Sequence, residues 1–296
     1  MSMYNECTLC PRKCRVDRTK SLGFCRQSEE LRIARADLHF WEEPCISGTN
    51  GSGTVFFSGC TLKCCFCQNY EISQQNKGYN IGVNELADIF IELQNKGAHN
   101  INLVSPTPHV PKIIEALDLV KPKLIIPVVY NCGGYESVET IKTLEGYVDV
   151  YLPDMKYFSD DLALKYSGCK DYLITALDAL KEMVRQVGKP QFDDNGIIQK
   201  GVIVRHLVLP TLRKDSIRIM NELAKHFDRD EILISAMSQY VPMHRSFDFK
   251  ELSRRISTFE YNSLLDEINR LGFEGFSQQR EAADKTYIPE FDGEIC

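Results

Sequence analysis

The sequence predicts an α/β protein built on a parallel barrel, and three observations support this prediction. Six apolar runs rich in Val, Ile or Leu alternate with helix-like segments along the chain. The 296 residues are 43% hydrophobic, which is enough for one barrel and a small appendage. The first apolar run ends in a group of cysteines, and loops that follow strands are where barrel enzymes carry their chemistry.

The six predicted strands are continuous apolar runs, as is typical of parallel strands that are covered on both faces. They are residues 53–58, 101–104, 124–129, 148–152, 202–208 and 232–237. Crossover helices are predicted at residues 84–96, 109–120, 136–144, 173–187 and 215–227. Asn84 is the predicted N-cap of the first of these helices.

Outside the barrel, the chain divides into two shorter parts. Residues 1–50 are predicted to form a cysteine-rich, metal-binding lobe, residues 51–256 the barrel, and residues 257–296 an extension that packs on the barrel. From about Ser257 the extension is predicted to add a helix, a short strand at 272–276 and a proline-containing end at 287–292.

Composition and charge narrow the function classes. No apolar run approaches the length that spans a bilayer, so no membrane segment is expected. The net charge of −6 argues against nonspecific nucleic-acid binding, although residues 1–35 hold eight Lys or Arg against four Asp or Glu. Nothing at the N-terminus resembles a signal peptide, so a cytoplasmic protein is expected, in which a set of twelve cysteines indicates metal ligands rather than disulfide bridges.

The loop after the first predicted strand carries the most specific motif. Cys60, Cys64 and Cys67 are spaced Cys-x3-Cys-x2-Cys. Three thiolates leave one iron of a four-iron cluster open, which indicates an iron that binds substrate. The alternatives are a zinc knuckle with Cys65 as fourth ligand, or a disulfide in a secreted protein. The first is awkward because adjacent Cys64 and Cys65 point in different directions on an extended chain.

With Phe66 included, the loop reads Cys-x3-Cys-x-aromatic-Cys and resembles the signature of the radical S-adenosylmethionine (SAM) superfamily. The resemblance implies an open, partial (β/α)6 barrel and a 4Fe–4S cluster on the three cysteines. SAM would chelate the open iron, and one electron would cleave it to methionine and a 5′-deoxyadenosyl radical that takes a hydrogen atom from the substrate. It also implies anaerobic chemistry and an electron donor such as flavodoxin or ferredoxin.

Further SAM contacts are expected at the ends of the second and third strands. Ser105 and Thr107 follow the second strand, where many superfamily members carry a Gly-Gly-Glu-like motif. Their hydroxyl or carbonyl oxygens could meet the methionine amino group. Asn131, before paired glycines, resembles the Thr-Asn-Gly turn of glycyl-radical-enzyme activases and is a candidate for the same end of SAM.

The fourth, fifth and sixth strand ends supply the remaining candidates. Asp154 and Lys156 match the Asp-x-Lys of activases of the pyruvate formate-lyase type. Arg205 matches the Arg of their Ile-Arg-x-Val-Val-x-Pro, and a guanidinium in an apolar run needs an anion such as the SAM carboxylate. The neighbouring His206 is expected to face outward with its hydrogen bonds satisfied. Met237 is expected to contact the adenine side or the substrate.

A second cysteine group lies in the N-terminal lobe. Cys7, Cys10, Cys14 and Cys25 can complete a four-thiolate site, either a structural zinc or an auxiliary iron–sulfur cluster. Spacing does not separate these two alternatives, and Cys45 is a spare thiol that could replace Cys25.

Across nearly its whole length, the chain resembles a group of uncharacterised iron–sulfur proteins related to pyruvate formate-lyase activating enzyme. The matching stretches are residues 7–14, 41–48, the cysteine loop, 97–104 and 237–240. One function class is therefore an activase that takes a glycine Cα hydrogen from a glycyl radical enzyme. Another is a radical enzyme that modifies a small molecule, peptide or RNA, and a weaker third is a non-catalytic iron–sulfur or zinc protein.

Overall fold

A computed structural model describes residues 3–278 and residue 291. The described strands, numbered in chain order, are β1 (Leu31–His39), β2 (Ser52–Phe57), β3 (Tyr79–Ile81), β4 (Ile101–Val104), β5 (Val128–Cys132), β6 (Val150–Pro153), β7 (Gln191–Phe192), β8 (Ile198–Leu207), β9 (Leu233–Met237) and β10 (Gly275–Ser277). The described helices are α1 (Pro44–Ser47), α2 (Tyr70–Ser73), α3 (Val83–Asn95), α4 (Val110–Val120), α5 (Val138–Thr143), α6 (Asp160–Ser167), α7 (Tyr172–Val187), α8 (Arg213–His226) and α9 (Thr258–Leu271).

The sheet is an open parallel barrel, as the sequence predicts. Strands β2, β4, β5, β6, β8, β9 and β10 lie side by side in this order, and each neighbouring pair is parallel. Strand β1 is antiparallel to β2, and β3 is antiparallel to β1. Among the described residues, β3 and β10 form the two edges and do not pair with each other, so the barrel stays open.

The core lies between the sheet and its crossover helices. Helix α3 shows the sequence logic, because Leu86, Phe90 and Leu93 recur at helical spacing and are fully buried. They join Val55 and Leu103 of the parallel strands in one large apolar cluster. Burial of each such side chain contributes roughly 1.5–3 kcal/mol. The strands are thereby held in a fixed order, with their carboxyl ends at one face.

Most element boundaries differ from the prediction by a few residues, and for two of them the physical reason is identifiable. Strand β5 begins at Val128 rather than at residue 124, since Pro127 has no N–H to give to the ladder. Helix α3 begins at Val83 with Gly82 as its N-cap, and Asn84 lies within the first turn. The Gly82 amide donates to Glu85 Oε2 at 3.4 Å, so the capping role predicted for Asn84 is wrong.

The parts assigned to the lobe and the extension both contribute to the sheet. Strand β1 comes from the predicted lobe and pairs with β2 of the barrel. In the extension, α9 begins after Ser257, close to the predicted start of this helix. The Ser257 hydroxyl accepts from the Glu260 amide at 3.2 Å and caps the helix. Strand β10 then pairs with β9. Except for Phe291, the predicted proline-containing end lies outside the described residues.

Within residues 3–278, no helix is both long and apolar enough to cross a membrane.

Candidate active site

A cavity of about 220 Å³ opens where the parallel strands end. Its lining comes from the last residues of several strands and from the cysteine loop. Among them are ten of the residues predicted from sequence: Cys60, Cys64, Phe66, Cys67, Ser105, Asn131, Asp154, Lys156, Arg205 and Met237. These residues come from the ends of five strands and from one loop, so they form a single site only in the folded barrel.

Each of the three predicted cluster thiols has a hydrogen-bonding neighbour. The Leu62 amide donates to Cys60 Sγ at 3.4 Å. The Ser167 hydroxyl lies 2.9 Å from Cys64 Sγ, and the Ser73 hydroxyl lies 3.3 Å from Cys67 Sγ. Burial raises the pKa of the Cys60 thiol to about 12 and that of Cys67 to about 11. Such thiols ionise readily only when a metal binds them.

The fourth cysteine of the loop points elsewhere. Cys65 is buried and does not line the cavity, and its amide donates to the Tyr166 carbonyl at 2.8 Å. Burial raises the pKa of its thiol to about 12. A further thiol, Cys132, also lines the cavity, but it belongs to strand β5 rather than to the loop, and burial raises its pKa well above the usual value. The loop therefore offers three thiols to the cavity, which fits a cluster with one open iron.

A network of charged and amide groups forms the opposite wall. Arg205 Nε donates to Asp154 Oδ1 at 3.0 Å, and Arg205 Nη2 donates to the Asn131 side-chain oxygen. The Lys156 ammonium pairs with the second oxygen of Asp154. Strands β5, β6 and β8 place these groups side by side at their carboxyl ends. The motif matches made separately along the sequence thus converge on one network.

The same network contains a residue that sequence reasoning missed. Glu42 Oε2 lies 3.3 Å from Arg205 Nη1, and Glu42 Oε1 accepts from Asn102 at 3.1 Å and from Asn131 at 3.3 Å. Glu42 lies in the short segment between β1 and α1, which the barrel pattern does not cover. The sequence signals were a pair of acidic residues before Pro44 and the match of residues 41–48 to the related iron–sulfur proteins, and neither signal names a partner for Glu42.

The two carboxylates of this wall, Asp154 and Glu42, differ in pKa. Burial alone would raise the pKa of Asp154, but Lys156 and Arg205 outweigh it and hold that pKa below its usual value. Burial raises the pKa of Glu42, and the attraction of Arg205 offsets this only in part. The wall therefore combines two fixed cations with one firmly ionised carboxylate and one carboxylate that takes up a proton more readily.

Of the two residues predicted to contact SAM after β4, Ser105 lines the cavity and Thr107 does not. Ser105 lines the cavity with a positive φ of 58°, and its amide donates to the Asn131 carbonyl at 2.9 Å. Thr107, predicted as a SAM contact, does not line the cavity. Its hydroxyl donates to Glu136 Oε1 at 2.9 Å, and Tyr130 also donates to Glu136, at 3.3 Å. Thr107 therefore lies outside the cavity, in a buried hydrogen-bonded group with Glu136 and Tyr130.

His206 behaves as expected for a residue that faces away from the cavity. Its Nδ1 lies 2.6 Å from the Met155 carbonyl, and its Nε2 lies 2.9 Å from the Ser216 hydroxyl. Burial lowers the pKa of His206 to about 4, so the ring is neutral at pH 7. His206 is therefore a packed, satisfied side chain.

The N-terminal cysteines also come together. Cys7, Cys10, Cys14 and Cys25 border one small hollow next to the barrel. Cys45, the predicted substitute for Cys25, lies elsewhere, in a separate apolar cluster with Ile46 and strands β5 and β6.

The fold and this cavity define an α/β-barrel protein with a three-thiol loop that faces paired charges suited to an amino acid. Comparison with known proteins agrees. The radical SAM superfamily domain matches residues 54–190. An uncharacterised protein of Methanocaldococcus jannaschii is 31% identical over 277 residues, which cover 90% of this chain and 75% of that protein. The chain belongs to the radical SAM superfamily, whose members bind SAM and a 4Fe–4S cluster.

Solved structures show the same fold. SuiB of Streptococcus suis, crystallised with SAM, superimposes with a TM-score of 0.50 at 13% identity, over 74% of this chain and 48% of SuiB. Methylornithine synthase (PylB) gives a TM-score of 0.50 at 14% identity, over 74% of this chain and 68% of PylB. The chain thus spans about half the length of SuiB.

Proposed function

We propose that this radical SAM protein is an activase related to pyruvate formate-lyase activating enzyme, which takes a hydrogen atom from a glycine Cα of a partner protein. One observation carries the proposal. Asp154, Lys156 and Arg205, the three residues that match the activase motifs, form a single hydrogen-bonded network with Asn131 on the cavity wall. Parallel strands bring their carboxyl ends together in any such barrel, so the support lies in the chemistry of these groups, which pair two cations with one carboxylate.

The wall residues suit the methionyl end of SAM. Arg205 and Lys156 can donate to a carboxylate, and Asp154 and Glu42 can accept from an ammonium group. The residues already hold one another in place, so little side-chain ordering is required when the ligand binds. Cys60, Cys64 and Cys67 would hold the cluster, which would supply the electron for reductive cleavage of SAM.

The rim of the cavity suits a peptide loop. Trp41 lines the cavity and is 59% exposed, and Gln68 and Gln239 line it as well. An exposed aromatic ring with neighbouring amide groups can contact both the backbone and the side chains of an extended segment. This rim supports a protein substrate over a metabolite that is wholly enclosed.

The radical chemistry is tested with single variants of the cysteine loop. Anaerobically reconstituted protein is reduced with dithionite in the presence of SAM, and 5′-deoxyadenosine is measured. We expect Cys60→Ala, Cys64→Ala and Cys67→Ala each to abolish its formation, because each removes one of three ligands. Cys65→Ala is the matched control and should retain it. Unchanged turnover in the three variants would refute the assignment.

The activase type needs a separate experiment. Peptides that carry a central glycine, unlabelled or deuterated at the glycine Cα, are incubated with the reduced protein and SAM. We expect deuterium to appear in 5′-deoxyadenosine and a glycyl radical signal to appear in electron paramagnetic resonance spectra. If 5′-deoxyadenosine forms and no glycine deuterium is transferred from any such peptide, the activase proposal fails and the superfamily chemistry stands.

A further inference from the structure

The cysteine loop has two sides, and only one of them faces the cavity at the strand ends, which is called the SAM cavity below. Cys60, Leu62 and Cys64 line that cavity, whereas the alternate residues Thr61 and Lys63 do not. Reductive cleavage of SAM, on which this inference rests, needs an electron while SAM fills the cavity. A protein that supplies the electron is therefore expected to approach the loop from its other side.

Two arginines of the N-terminal lobe contact this other side. Arg12 Nε donates at 2.9 Å to the carbonyl of Thr61, the residue after the first loop cysteine. Arg26 Nη1 donates to the Gln74 carbonyl at 2.7 Å, and the Gln74 side chain donates to the Cys64 carbonyl at 2.9 Å. Each guanidinium is thus fixed one or two hydrogen bonds away from the loop that carries the predicted cluster thiols.

These two arginines and Lys63 form a group of cations without a counter-charge. The ionisable groups that act most strongly on Lys63 are the thiols of Cys60 and Cys25 and the guanidinium groups of Arg26 and Arg12. Within residues 3–278, no carboxylate forms an ion pair with any of the three cations. The whole chain has a net charge of −6, so this positive face is a local feature that attracts an anionic partner.

An exposed aromatic ring lies beside two of these cations. Phe24 is 40% exposed, with the Arg12 guanidinium 4.1 Å and the Lys63 ammonium 5.2 Å from the centre of its ring. Leu22, two residues earlier, is 58% exposed. Aromatic rings and arginines are enriched at protein interfaces. The lobe patch, defined as Arg12, Leu22, Phe24, Arg26 and Lys63, therefore combines apolar contact area with positive charge.

We propose that the lobe patch is the docking surface for a small acidic protein that carries one electron. Carboxylates of the carrier pair with the cations of the patch, and an apolar residue beside its redox centre packs on Phe24. One electron passes from the reduced carrier, which is oxidised, to a cluster held by Cys60, Cys64 and Cys67, which is reduced. No bond or proton is transferred. The surface serves the reductive chemistry of the superfamily and does not depend on the activase proposal.

The location of the patch favours an electron carrier over another acidic partner. The Lys63 amide donates to the Ser167 carbonyl at 3.0 Å, and the Ser167 hydroxyl lies 2.9 Å from Cys64 Sγ. A short hydrogen-bonded path thus leads from the patch to a predicted cluster thiol. A substrate must instead enter the SAM cavity, which the patch does not line. The carrier and the substrate therefore use different faces and can be bound at the same time.

Binding is measured by isothermal titration calorimetry of the reconstituted protein with an acidic ferredoxin and with an acidic flavodoxin. We expect Arg26→Glu to weaken binding by about tenfold at low salt, and the difference to shrink at high salt because the charges are screened. Arg26→Lys keeps the charge and should retain most of the affinity. Lys123→Glu, an exposed site between α4 and β5 at the opposite end of the sheet, is the matched control. The proposal is overturned if the parent binds neither carrier, or if Arg26→Glu and Lys123→Glu bind equally well.

The rate of electron transfer gives a second readout. Stopped-flow absorbance follows reduction of the reconstituted protein by the reduced carrier or by dithionite. Phe24→Ala and Arg26→Glu should each slow reduction by the carrier several-fold, and reduction by dithionite, which needs no docking surface, should keep the parent rate. Equal slowing with both reductants would show that the substitutions disturb the cysteine loop and would contradict a docking role. Neither measurement needs SAM turnover, so a failure of the radical chemistry is detected separately, by 5′-deoxyadenosine formation in the parent.

Discussion

Arg205 connects three polar partners that come from distant parts of the chain. Its guanidinium contacts Asp154, Asn131 and Glu42, all on the wall of the SAM cavity. The planar fork of an arginine can hold several acceptors in fixed directions, which a lysine ammonium does not do. Asp154 and Asn131 thereby keep one orientation before SAM binds. Glu42 belongs to the same arrangement and is the least expected member of it.

We predict that Glu42→Gln weakens SAM binding by about tenfold, which corresponds to roughly 1.4 kcal/mol. The substitution keeps the shape of the side chain and removes one negative charge that can attract the SAM ammonium group. Equilibrium dialysis of the reconstituted protein measures the change. Glu92→Gln, on the exposed face of α3, is the control. Equal affinity in the two variants would show that Glu42 does not contact the ligand.

At the scale of elements, α9 is held at its start by one carboxylate. Glu260 accepts from the Ser257 amide at 2.7 Å, from the Thr211 amide at 2.6 Å and from Arg254 Nη1 at 2.8 Å. The Arg254 guanidinium, together with these amides, lowers the pKa of Glu260 to about 2. Since Thr211 lies just before α8, this carboxylate ties the extension to the barrel.

Glu260→Ala should lower the free energy of unfolding by about 2–3 kcal/mol, because it leaves two backbone N–H groups without acceptors and removes a helix cap. Glu260→Gln keeps one acceptor oxygen and should lose less. Urea unfolding at pH 7 compares both with Glu274→Ala, an exposed site before β10. A loss in Glu260→Ala no greater than in the control would mean that α9 needs no such cap.

Elements that depend on local pattern were predictable, and contacts between distant segments were not. Strand β4 matches its prediction at both ends, because a short apolar run bounded by polar residues leaves little choice. The strand ends Asn131, Asp154 and Arg205 were predictable as neighbours, since parallel strands end at one face. Glu42 was not, because a segment before the first barrel strand has no periodicity that fixes where it returns.

The location of Thr107 shows the same limit. Its distance along the chain from the end of β4 suggested the cavity, but the positive φ of Ser105 turns the chain before Thr107 is reached. A non-glycine residue in this conformation is set by tertiary packing rather than by local propensity. The buried partner of Thr107, Glu136, was likewise beyond the reach of sequence pattern.

At the scale of the whole molecule, Glu136 makes stability depend on pH. Glu136 is 1% exposed, and burial raises its pKa from 4.5 to about 8. Below pH 4.5 both the folded and the unfolded chain carry this proton. Between pH 4.5 and 8 only the folded chain keeps it, so unfolding releases a proton and stability falls as pH rises, by at most about 1.4 kcal/mol per unit.

Glu136→Gln should remove this part of the pH dependence, because the amide stays neutral and can still bond with Thr107 and Tyr130. Urea midpoints of parent and variant, measured at pH 5.5, 6.5 and 7.5, should diverge as pH rises, with the variant the more stable at pH 7.5. Other buried carboxyl groups, such as Glu42, are present in both proteins, so their contributions to the pH dependence cancel in the comparison. Parallel midpoints over this range would show that Glu136 is ionised in the folded chain.

Two hydroxyl groups behind Cys64 can influence the reduction potential of a cluster bound there without contacting SAM. Tyr157 and Ser167 lie 2.7 Å apart, and Ser167 reaches the Cys64 sulfur from the end of α6, outside the SAM cavity. A donor at a ligating sulfur draws electron density from the metal and eases its reduction. The side chains that set the reduction potential of a cluster on Cys64 are thus different from those that set the affinity for SAM. Either property can change by substitution while the other is preserved.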